Sequence, residues 1–265
     1  MNPVFAEPYD TIALVAFAFV GLCIGSFLNV VIHRLPRGTS VVTPPSRCSG
    51  CGYELRWYDN IPVLSWAALR GRCRKCGSPI SIRYPIVELL TMAVFLLHWW
   101  VFGWTMLMAV RVLFACALIA LFAIDLEHHL LPDKITLPGI AVGLIFSLIV
   151  PPGIVEAILG AILGWVVLWA IAEAYFRYSG QEGMGGGDLK MLAMIGAFLG
   201  WKLVLVTLVL SSVTGSLIGM AVIAARRGDM KYALPYGTFL AAAALLASLI
   251  GDRIVTWYAG LYAGI

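Results

Sequence analysis

The stretch Thr11–Ile32, TIALVAFAFVGLCIGSFLNVVI, contains 22 residues and no charged side chain. A segment of this length and composition can cross the hydrocarbon core of a bilayer as a helix. A cleaved secretory signal would carry a basic segment in front of it, whereas residues 1–10 contain only the charged side chains of Glu7 and Asp10. The sequence therefore predicts a retained first transmembrane helix whose N-terminus lies outside the cytoplasm.

The rest of the chain is similarly apolar, with 61% hydrophobic and 12% charged residues over 265 positions and a mean hydropathy of +0.93. These values exclude a soluble globular protein and predict an all-α polytopic membrane protein. Turns divide it into about eight transmembrane helices, including segments over residues 135–150, 154–176 and 236–258. The sixth segment, residues 189–199, is the shortest, and a predicted interfacial turn at Gly200–Lys202 separates it from a seventh that ends at Ala225.

The loop after the first helix carries nine of the 18 Lys and Arg residues but only two acids, Glu54 and Asp59. Basic loops mark the cytoplasmic side of a membrane protein. Such a loop beside a membrane helix favours contact with anionic lipid over nucleic acid. We expect helix 1 at residues 11–32, a cytoplasmic domain at 33–84 and a seven-helix membrane domain at 85–262.

Four of the six cysteines lie in this loop as two C-x2-C pairs with 21 residues between them. This spacing is typical of zinc ribbons, and four thiolates would form a closed, structural site. A reducing cytoplasm disfavours disulfides. We therefore predict a small zinc-ribbon-like domain between helices 1 and 2. Its predicted ligands are Cys48, Cys51, Cys73 and Cys76. The other two, Cys23 and Cys116, are expected to be packing residues within spans.

The segment Gly183–Lys190, GMGGGDLK, places an acid behind a run of glycines at the mouth of an apolar segment. Ionisable groups at such positions are candidates for functional sites. Gly185 and Gly187 would permit a positive φ or the close approach of another chain. Asp188 could alternatively be a helix-start cap.

A second acid, Asp125, ends another apolar segment on the same predicted side of the membrane. Two carboxyls placed together share a proton, so one can activate water while the other hydrogen-bonds a substrate carbonyl. Lys190 could hold the negative charge of such a pair or contact a substrate carboxylate, and Glu88 could line the same cavity. His128 and His129 are expected to be solvated, because no third metal ligand accompanies them.

Five further charges lie in or beside apolar segments and are expected to be interfacial or to snorkel towards water. They are Arg111, Glu156, Glu173, Asp252 and Arg253.

Several motifs resemble those of the type IV prepilin peptidases, which are membrane aspartic proteases of the G-x-G-D class. GSFLNVVIHRLP at Gly25–Pro36 resembles the opening of that family. WYDNIPV at Trp57–Val63 and RYPIVE at Arg83–Glu88 resemble its cytoplasmic domain and second helix. LPYGTFL at Leu234–Leu240 resembles a later motif closer to P-F-G-P-F, from which the chain departs at Tyr236 and Thr238.

The resemblance implies that Asp125 and Asp188 are the catalytic pair. It also implies that the enzyme cuts prepilins and type II secretion pseudopilins after a glycine at the cytoplasmic face of the bacterial inner membrane. Methylation of the new N-terminal residue, usually phenylalanine, by S-adenosylmethionine is implied too. The aspartates do not account for methylation, so the methyl-donor site is expected near the cysteine loop and Glu88.

Two other functions are compatible with paired membrane acids. A cation transporter or channel with a zinc-stabilised domain would need acids distributed through the membrane depth. A presenilin-like protease acting on other membrane proteins would share the mechanism, but the cysteine loop and its motifs favour prepilins.

Overall fold

The computed structural model describes residues 8–181, 183–225 and 235–262, which form eight α-helices and one short 3-10 helix at Trp57–Asp59. The helices are α1 (Pro8–Arg34), α2 (Leu64–Ala68), α3 (Arg83–Phe102), α4 (Met106–His128), α5 (Asp133–Phe146), α6 (Ile154–Ser179), α7 (Gly186–Ala225) and α8 (Tyr236–Tyr262). Extended pairing in these ranges is limited to two isolated β-bridges in the cysteine loop. The all-α prediction is confirmed.

Within the described ranges, six helices are long and apolar enough to cross a membrane, namely α1, α3, α4, α6, α7 and α8. The fourth predicted segment corresponds to α5, which has only 14 residues. The predicted sixth and seventh segments correspond to the two parts of α7, which is interrupted at Gly200, where φ is 78°. The chain is therefore a multi-pass membrane protein with a helix break at the predicted turn.

The chain divides into two compact units, and the division falls after Trp104. In the first unit, α1 packs along α3. A Cβ atom on Gly21 would lie 2.9 Å from the Cα of Met92, and one on Gly25 would lie 2.7 Å from the Cα of Glu88. Glycines four residues apart thus let the two backbones approach closely, as in other membrane helix pairs. The predicted domain boundaries at residues 33 and 85 stay a prediction.

In the second unit, α7 packs against α5, α6 and α8, and α4 packs against α8. Glycines again permit the closest contact, because a Cβ on Gly160 would lie 2.6 Å from the carbonyl oxygen of Gly196. Phe114 and Phe198 stack with ring centroids 4.7 Å apart in the buried core. Large apolar side chains such as Ile162 and Val209 are exposed, as expected for surfaces that face lipid.

The prediction that Arg111 snorkels is wrong. Arg111 is only 3% exposed, and its Nε and Nη1 atoms have no hydrogen-bond partner among the described residues. It lies in the first turns of α4, where packing against α8 covers it, and Asp252 of α8 acts on it electrostatically. Of the other predicted interfacial charges, Glu156 pairs with Lys202 at 3.3 Å, and Glu173 pairs with Arg177 at 2.7 Å.

Candidate active site

Asp125 lies in the last turn of α4 and is 5% exposed. His129 caps the C-terminal end of the helix. It has the left-handed conformation with φ 50° and donates its N–H to the Asp125 carbonyl at 2.9 Å. This end of α4 contributes a buried carboxylate in the second unit. Burial of a carboxylate is costly unless hydrogen bonds satisfy it.

The partner of that carboxylate is Thr238, in the first turn of α8. The Thr238 N–H donates to Asp125 Oδ2 at 2.6 Å, and the Thr238 hydroxyl donates to the same oxygen at 3.0 Å. The first N–H groups of a helix have no partner within the helix. Asp125 therefore caps α8 from a helix more than a hundred residues earlier in the chain.

Asp188 is the third residue of α7 and is partly buried. The backbone of Gly185 and the carboxylate of Asp125 are both close enough to act electrostatically on its carboxylate. Asp188 thus has the position expected of a helix-start acid and also faces a second acid. The structure brings together the two aspartates that the sequence paired.

Leu131 packs between two glycines in the first turns of α7 and α8. A Cβ on Gly187 would lie 2.9 Å from the Leu131 Cβ, and one on Gly237 would lie 2.8 Å from the Leu131 Cδ1 and 3.0 Å from Asp125 Oδ2. The predicted positive φ is absent, because neither Gly185 nor Gly187 has a left-handed backbone. The glycine at 187 is instead required by close packing within the chain.

Lys190 forms a salt bridge away from the aspartate pair. Its Nζ donates to both carboxylate oxygens of Asp133 at 2.8 Å, which joins the first turns of α7 and α5. His129 acts electrostatically on Asp125. In the described part of the chain, neither His128 nor His129 belongs to a cluster that could hold a metal.

The four loop cysteines form one cluster whose Sγ atoms all lie within 4.8 Å of one another. The Sγ atoms of Cys48 and Cys76 are 3.8 Å apart, close to the separation of two thiolates on a tetrahedral zinc with Zn–S bonds of about 2.3 Å. All four are free thiols. The cluster therefore fits a thiophilic metal.

Two turns of identical construction present these thiols. In the first, Cys48 N–H bonds the Tyr53 carbonyl at 2.8 Å and Gly52 N–H bonds the Cys48 carbonyl at 2.9 Å. In the second, Cys73 N–H bonds the Ser78 carbonyl at 2.8 Å and Gly77 N–H bonds the Cys73 carbonyl at 2.9 Å. An antiparallel bridge closes each turn, Arg47 with Glu54 and Arg72 with Pro79. Gly52 and Gly77 both have φ 70°, which favours glycine.

The cysteines influence one another, so their pKa values move in opposite directions. The Ser78 hydroxyl is the main cause that lowers the pKa of Cys48 to about 6. The Tyr53 backbone lowers the pKa of Cys51, but burial and the neighbouring thiols outweigh it and raise that pKa to about 11. Burial raises the pKa of Asp59, but hydrogen bonds from Arg74, the Arg56 N–H and Tyr53 outweigh it, so the pKa lies below its usual range. Of the remaining two cysteines, Cys116 is partly buried and Cys23 is exposed, so the packing prediction is wrong for Cys23.

Glu88 lies in the first unit and is 6% exposed. It accepts a 2.7 Å hydrogen bond from the N–H of Val63 in the cysteine loop, and the Ser26 side chain of α1 acts on it electrostatically. The sequence suggested that it lines the cavity of the aspartates. That stays a prediction, and within its own unit Glu88 lines a cavity together with residues of the cysteine loop.

The sequence did not predict a role for Thr238, which hydrogen-bonds Asp125, or for Leu131, which packs against Gly187 and Gly237 beside the aspartates. Thr238 lies in the motif that was compared with P-F-G-P-F, of which residues from Pro235 onward are described, whereas Leu234 is outside the described residues. Two features of the sequence could have marked Thr238 as a functional residue: it lies two residues into a predicted helix, and it departs from that motif. No feature of the sequence marked Leu131, because one leucine in a strongly apolar chain does not stand out.

The fold and site thus define a polytopic membrane protein with a pair of aspartates, one of them buried, and a four-cysteine domain. Residues 19–102 match the bacterial peptidase A24 N-terminal domain, and residues 112–220 match the type IV leader peptidase family. No solved structure was found to match the chain.

Three similar proteins all carry the name prepilin leader peptidase/N-methyltransferase. The Myxococcus xanthus protein is 44% identical over 213 residues, which cover 79% of this chain and 63% of that protein. The Aeromonas hydrophila protein is 42% identical over 266 residues, covering 89% and 90%, and the Stutzerimonas stutzeri protein is 37% identical over 283 residues, covering 97% and 98%. The chain belongs to the type IV leader peptidase family.

Proposed function

We propose that this chain is a membrane aspartic endopeptidase that removes the leader from type IV prepilins and type II secretion pseudopilins and then N-methylates the new N-terminal residue. The observation that carries the peptidase assignment is the pair of Asp125 and Asp188, held at the starts of α8 and α7 within electrostatic reach of each other. Family membership favours this function over a cation channel. The methylase assignment rests on the names of the relatives.

The two carboxyls act as a unit that holds one proton. The ionised member takes a proton from water as the water oxygen attacks the scissile carbonyl carbon, and the protonated member hydrogen-bonds the carbonyl oxygen. Collapse of the tetrahedral adduct breaks the C–N bond, and a proton returns to nitrogen so that the new N-terminal amine leaves. Thr238 fixes the orientation of the Asp125 carboxylate in each step.

The membrane placement follows from charge. The basic loop is proposed to lie in the cytoplasm against anionic lipid, with the aspartate pair at the cytoplasmic face of a bacterial inner membrane. Cleavage there falls after a glycine that precedes the apolar helix of the substrate. Nucleic acid is not a proposed partner.

The four-cysteine cluster is proposed to hold one structural zinc ion through Cys48, Cys51, Cys73 and Cys76. When bound, zinc cross-links the two turns of a domain that is small for a self-sufficient core. With all four positions filled by thiolates, the metal takes no part in hydrolysis. S-adenosylmethionine is the proposed methyl donor.

The test is mass spectrometry of a prepilin incubated with the purified, membrane-reconstituted protein and S-adenosylmethionine. Wild type is expected to release the leader and to add one methyl group to the mature chain. Asp125→Asn and Asp188→Asn keep the side-chain size and are each expected to reduce cleavage more than about a thousandfold. Glu173→Gln, at an exposed helix position, is the matched control and should cleave normally.

Near-normal cleavage by either aspartate variant would remove that residue from the catalytic pair. A folded wild-type protein that cleaves no prepilin would overturn the peptidase assignment. Cleavage without methyl transfer would restrict the proposal to the peptidase.

A further inference from the structure

A cavity of about 430 Å³ lies in the first unit, between α1, the cysteine loop and the start of α3. Its volume falls within the range of small-molecule sites, roughly 300–1,000 Å³. A second cavity is lined by Ser211, Ser212, Gly215, Ser216, Tyr236 and Phe239, none of which is charged at neutral pH. The proposed methylation requires a donor site, which the aspartate pair does not provide.

One wall of the first cavity carries a buried negative group without a cationic partner. Glu88 accepts a hydrogen bond from a neutral donor, the Val63 N–H, at 2.7 Å, and the neutral Ser26 side chain acts on it electrostatically. Glu88 forms no salt bridge with any described residue, whereas Asp59, the other acid of the lining, pairs with Arg74 at 2.7 Å. A buried carboxylate in this state can pair with a positive group of a ligand. The lining also contains arginines, which suit a carboxylate on the same ligand, namely Arg34, Arg47, Arg74 and Arg83.

A second polar group of the lining is unsatisfied. Asn29 is 1% exposed, and its Nδ2 donates to the carbonyls of Gly25 at 3.3 Å and Tyr84 at 3.1 Å. These bonds fix the amide so that Oδ1 is the acceptor left over, and Oδ1 has no partner among the described residues. A buried acceptor without a donor is rare in folded proteins and indicates a missing ligand donor.

The lining also holds aromatic surface in fixed positions. Trp66 Nε1 donates to the Ile80 carbonyl at 3.1 Å, which orients the indole, and Tyr84 lies on the α3 side of the cavity. Aromatic faces attract sulfonium and ammonium groups and stack on nucleobases.

Val63 shows that the loop is held under strain beside this cavity. Its φ is 60° and its ψ is −48°, a conformation that is unusual for a β-branched residue. The Leu64 N–H bonds the Pro62 carbonyl at 2.6 Å across it, which makes a strained γ-turn. The turn directs the Val63 N–H at Glu88. Strain of this kind concentrates at ligand sites.

We propose that this cavity binds the methyl donor S-adenosylmethionine, with Glu88 facing its cationic sulfonium or ammonium group and Asn29 Oδ1 accepting a hydrogen bond from its amine or hydroxyl groups. The inference rests on the proposed methylase function. The new N-terminal amine, in its neutral form, attacks the methyl carbon, an N–C bond forms as the C–S bond breaks, and the sulfur leaves as a neutral thioether. The amine nitrogen then loses its extra proton to solvent.

Direct binding tests the site without relying on turnover. Equilibrium dialysis with radiolabelled S-adenosylmethionine is performed on the reconstituted full chain. Glu88→Gln, which can still accept from the Val63 N–H, and Asn29→Leu are each expected to weaken donor binding at least tenfold. Methyl transfer by Glu88→Gln should fall in step with donor binding. Glu173→Gln serves again as the control.

Photo-crosslinking of the same radiolabelled donor to wild type locates the site independently of any variant. Label on peptides that contain Trp66 or Tyr84 supports the proposal. Label confined to residues after 105, or wild-type donor affinity in both variants, overturns it. Cleavage of prepilin is scored in the same samples, so failure of the peptidase proposal is recognised separately from failure of this site.

Discussion

The carboxylate of Asp125 accepts two hydrogen bonds from Thr238, one from the backbone N–H at 2.6 Å and one from the hydroxyl at 3.0 Å, both on Oδ2. Thr238 is a position at which the chain departs from the P-F-G-P-F pattern. A proline there would offer neither an N–H nor a hydroxyl. This mode of holding the aspartate therefore depends on the departure itself.

Removal of the hydroxyl is predicted to misorient Asp125. Thr238→Val keeps the side-chain shape and the N–H bond but loses one hydrogen bond, which for a charged acceptor is worth about 1.5–3 kcal/mol. We expect kcat/KM for prepilin cleavage to fall about tenfold or more. Thr238→Ser restores the hydroxyl and should recover most of the activity.

Thr256→Val is the matched control for this change. Its hydroxyl bonds the carbonyls of Asp252 and Arg253 within the same helix, at an exposed position. It should cleave as wild type does. Equal rates for Thr238→Val and Thr256→Val would show that the hydroxyl does not position Asp125.

The glycines before Asp188 are predicted to differ sharply in their tolerance of alanine. A Cβ on Gly187 would lie 2.9 Å from the Leu131 Cβ, whereas one on Gly186 would meet nothing within 4 Å. Neither has a left-handed backbone. Overpacking costs about 1–3 kcal/mol, so Gly187→Ala should displace the start of α7 and reduce cleavage about tenfold or more.

Gly186→Ala carries the same chemical change one residue away. Alanine has the higher helix propensity, so this variant should be as stable as wild type or slightly more stable, and should cleave normally. Both variants are compared by thermal unfolding and by leader release. A similar loss in the two would point to glycine flexibility rather than to the contact with Leu131.

Much of the fold was predictable because hydropathy and charge act locally. Length and polarity predicted the helices, and even the interruption at Gly200, since an apolar run of about a dozen residues before a Gly-Trp-Lys turn is short for a span. The pairing of the two aspartates was predicted because the distribution of charged residues along the chain placed both on the same side of the membrane. The repeated C-x2-C pattern predicted the cysteine cluster because each ligand pair is built within one turn.

The contacts that could not be predicted join distant parts of the chain. Thr238 meets Asp125 across 113 positions, and Lys190 meets Asp133 across 57, so no local periodicity encodes either pair. Arg111 was expected to reach water because arginine usually does, but packing of α4 against α8 buries it.

Lys190 is predicted to contribute little to hydrolysis, because Asp133 holds its ammonium group. Lys190→Met and Asp133→Asn are each expected to change kcat/KM less than about fivefold, and to lower stability by no more than about 1 kcal/mol, as is usual for exposed ion pairs. The double variant should resemble the single ones, since each removes the same pair. If Lys190→Met abolished cleavage while Asp133→Asn did not, the lysine would act on the aspartate pair.

The cysteine cluster is predicted to bind one zinc ion per chain and to lose it when any one ligand is replaced. Elemental analysis of the purified protein gives the stoichiometry. Cys48→Ser and Cys73→Ser take one ligand from each turn and should each abolish tight binding. Cys116→Ser, which lies in α4 outside the cluster, should leave the zinc content at one.

Metal removal is predicted to unfold the loop rather than to stop the chemistry directly. The four thiols are held by two turns of a loop that is small for a self-sufficient core, so metal binding and folding of this domain are linked. A chelator should therefore increase proteolysis between residues 40 and 80 and abolish donor binding, because the same loop supplies Val63 and Trp66 to the cavity wall. Zinc should restore both properties. If the chelated protein kept wild-type affinity for the donor, the cavity would not depend on the metal-organised loop.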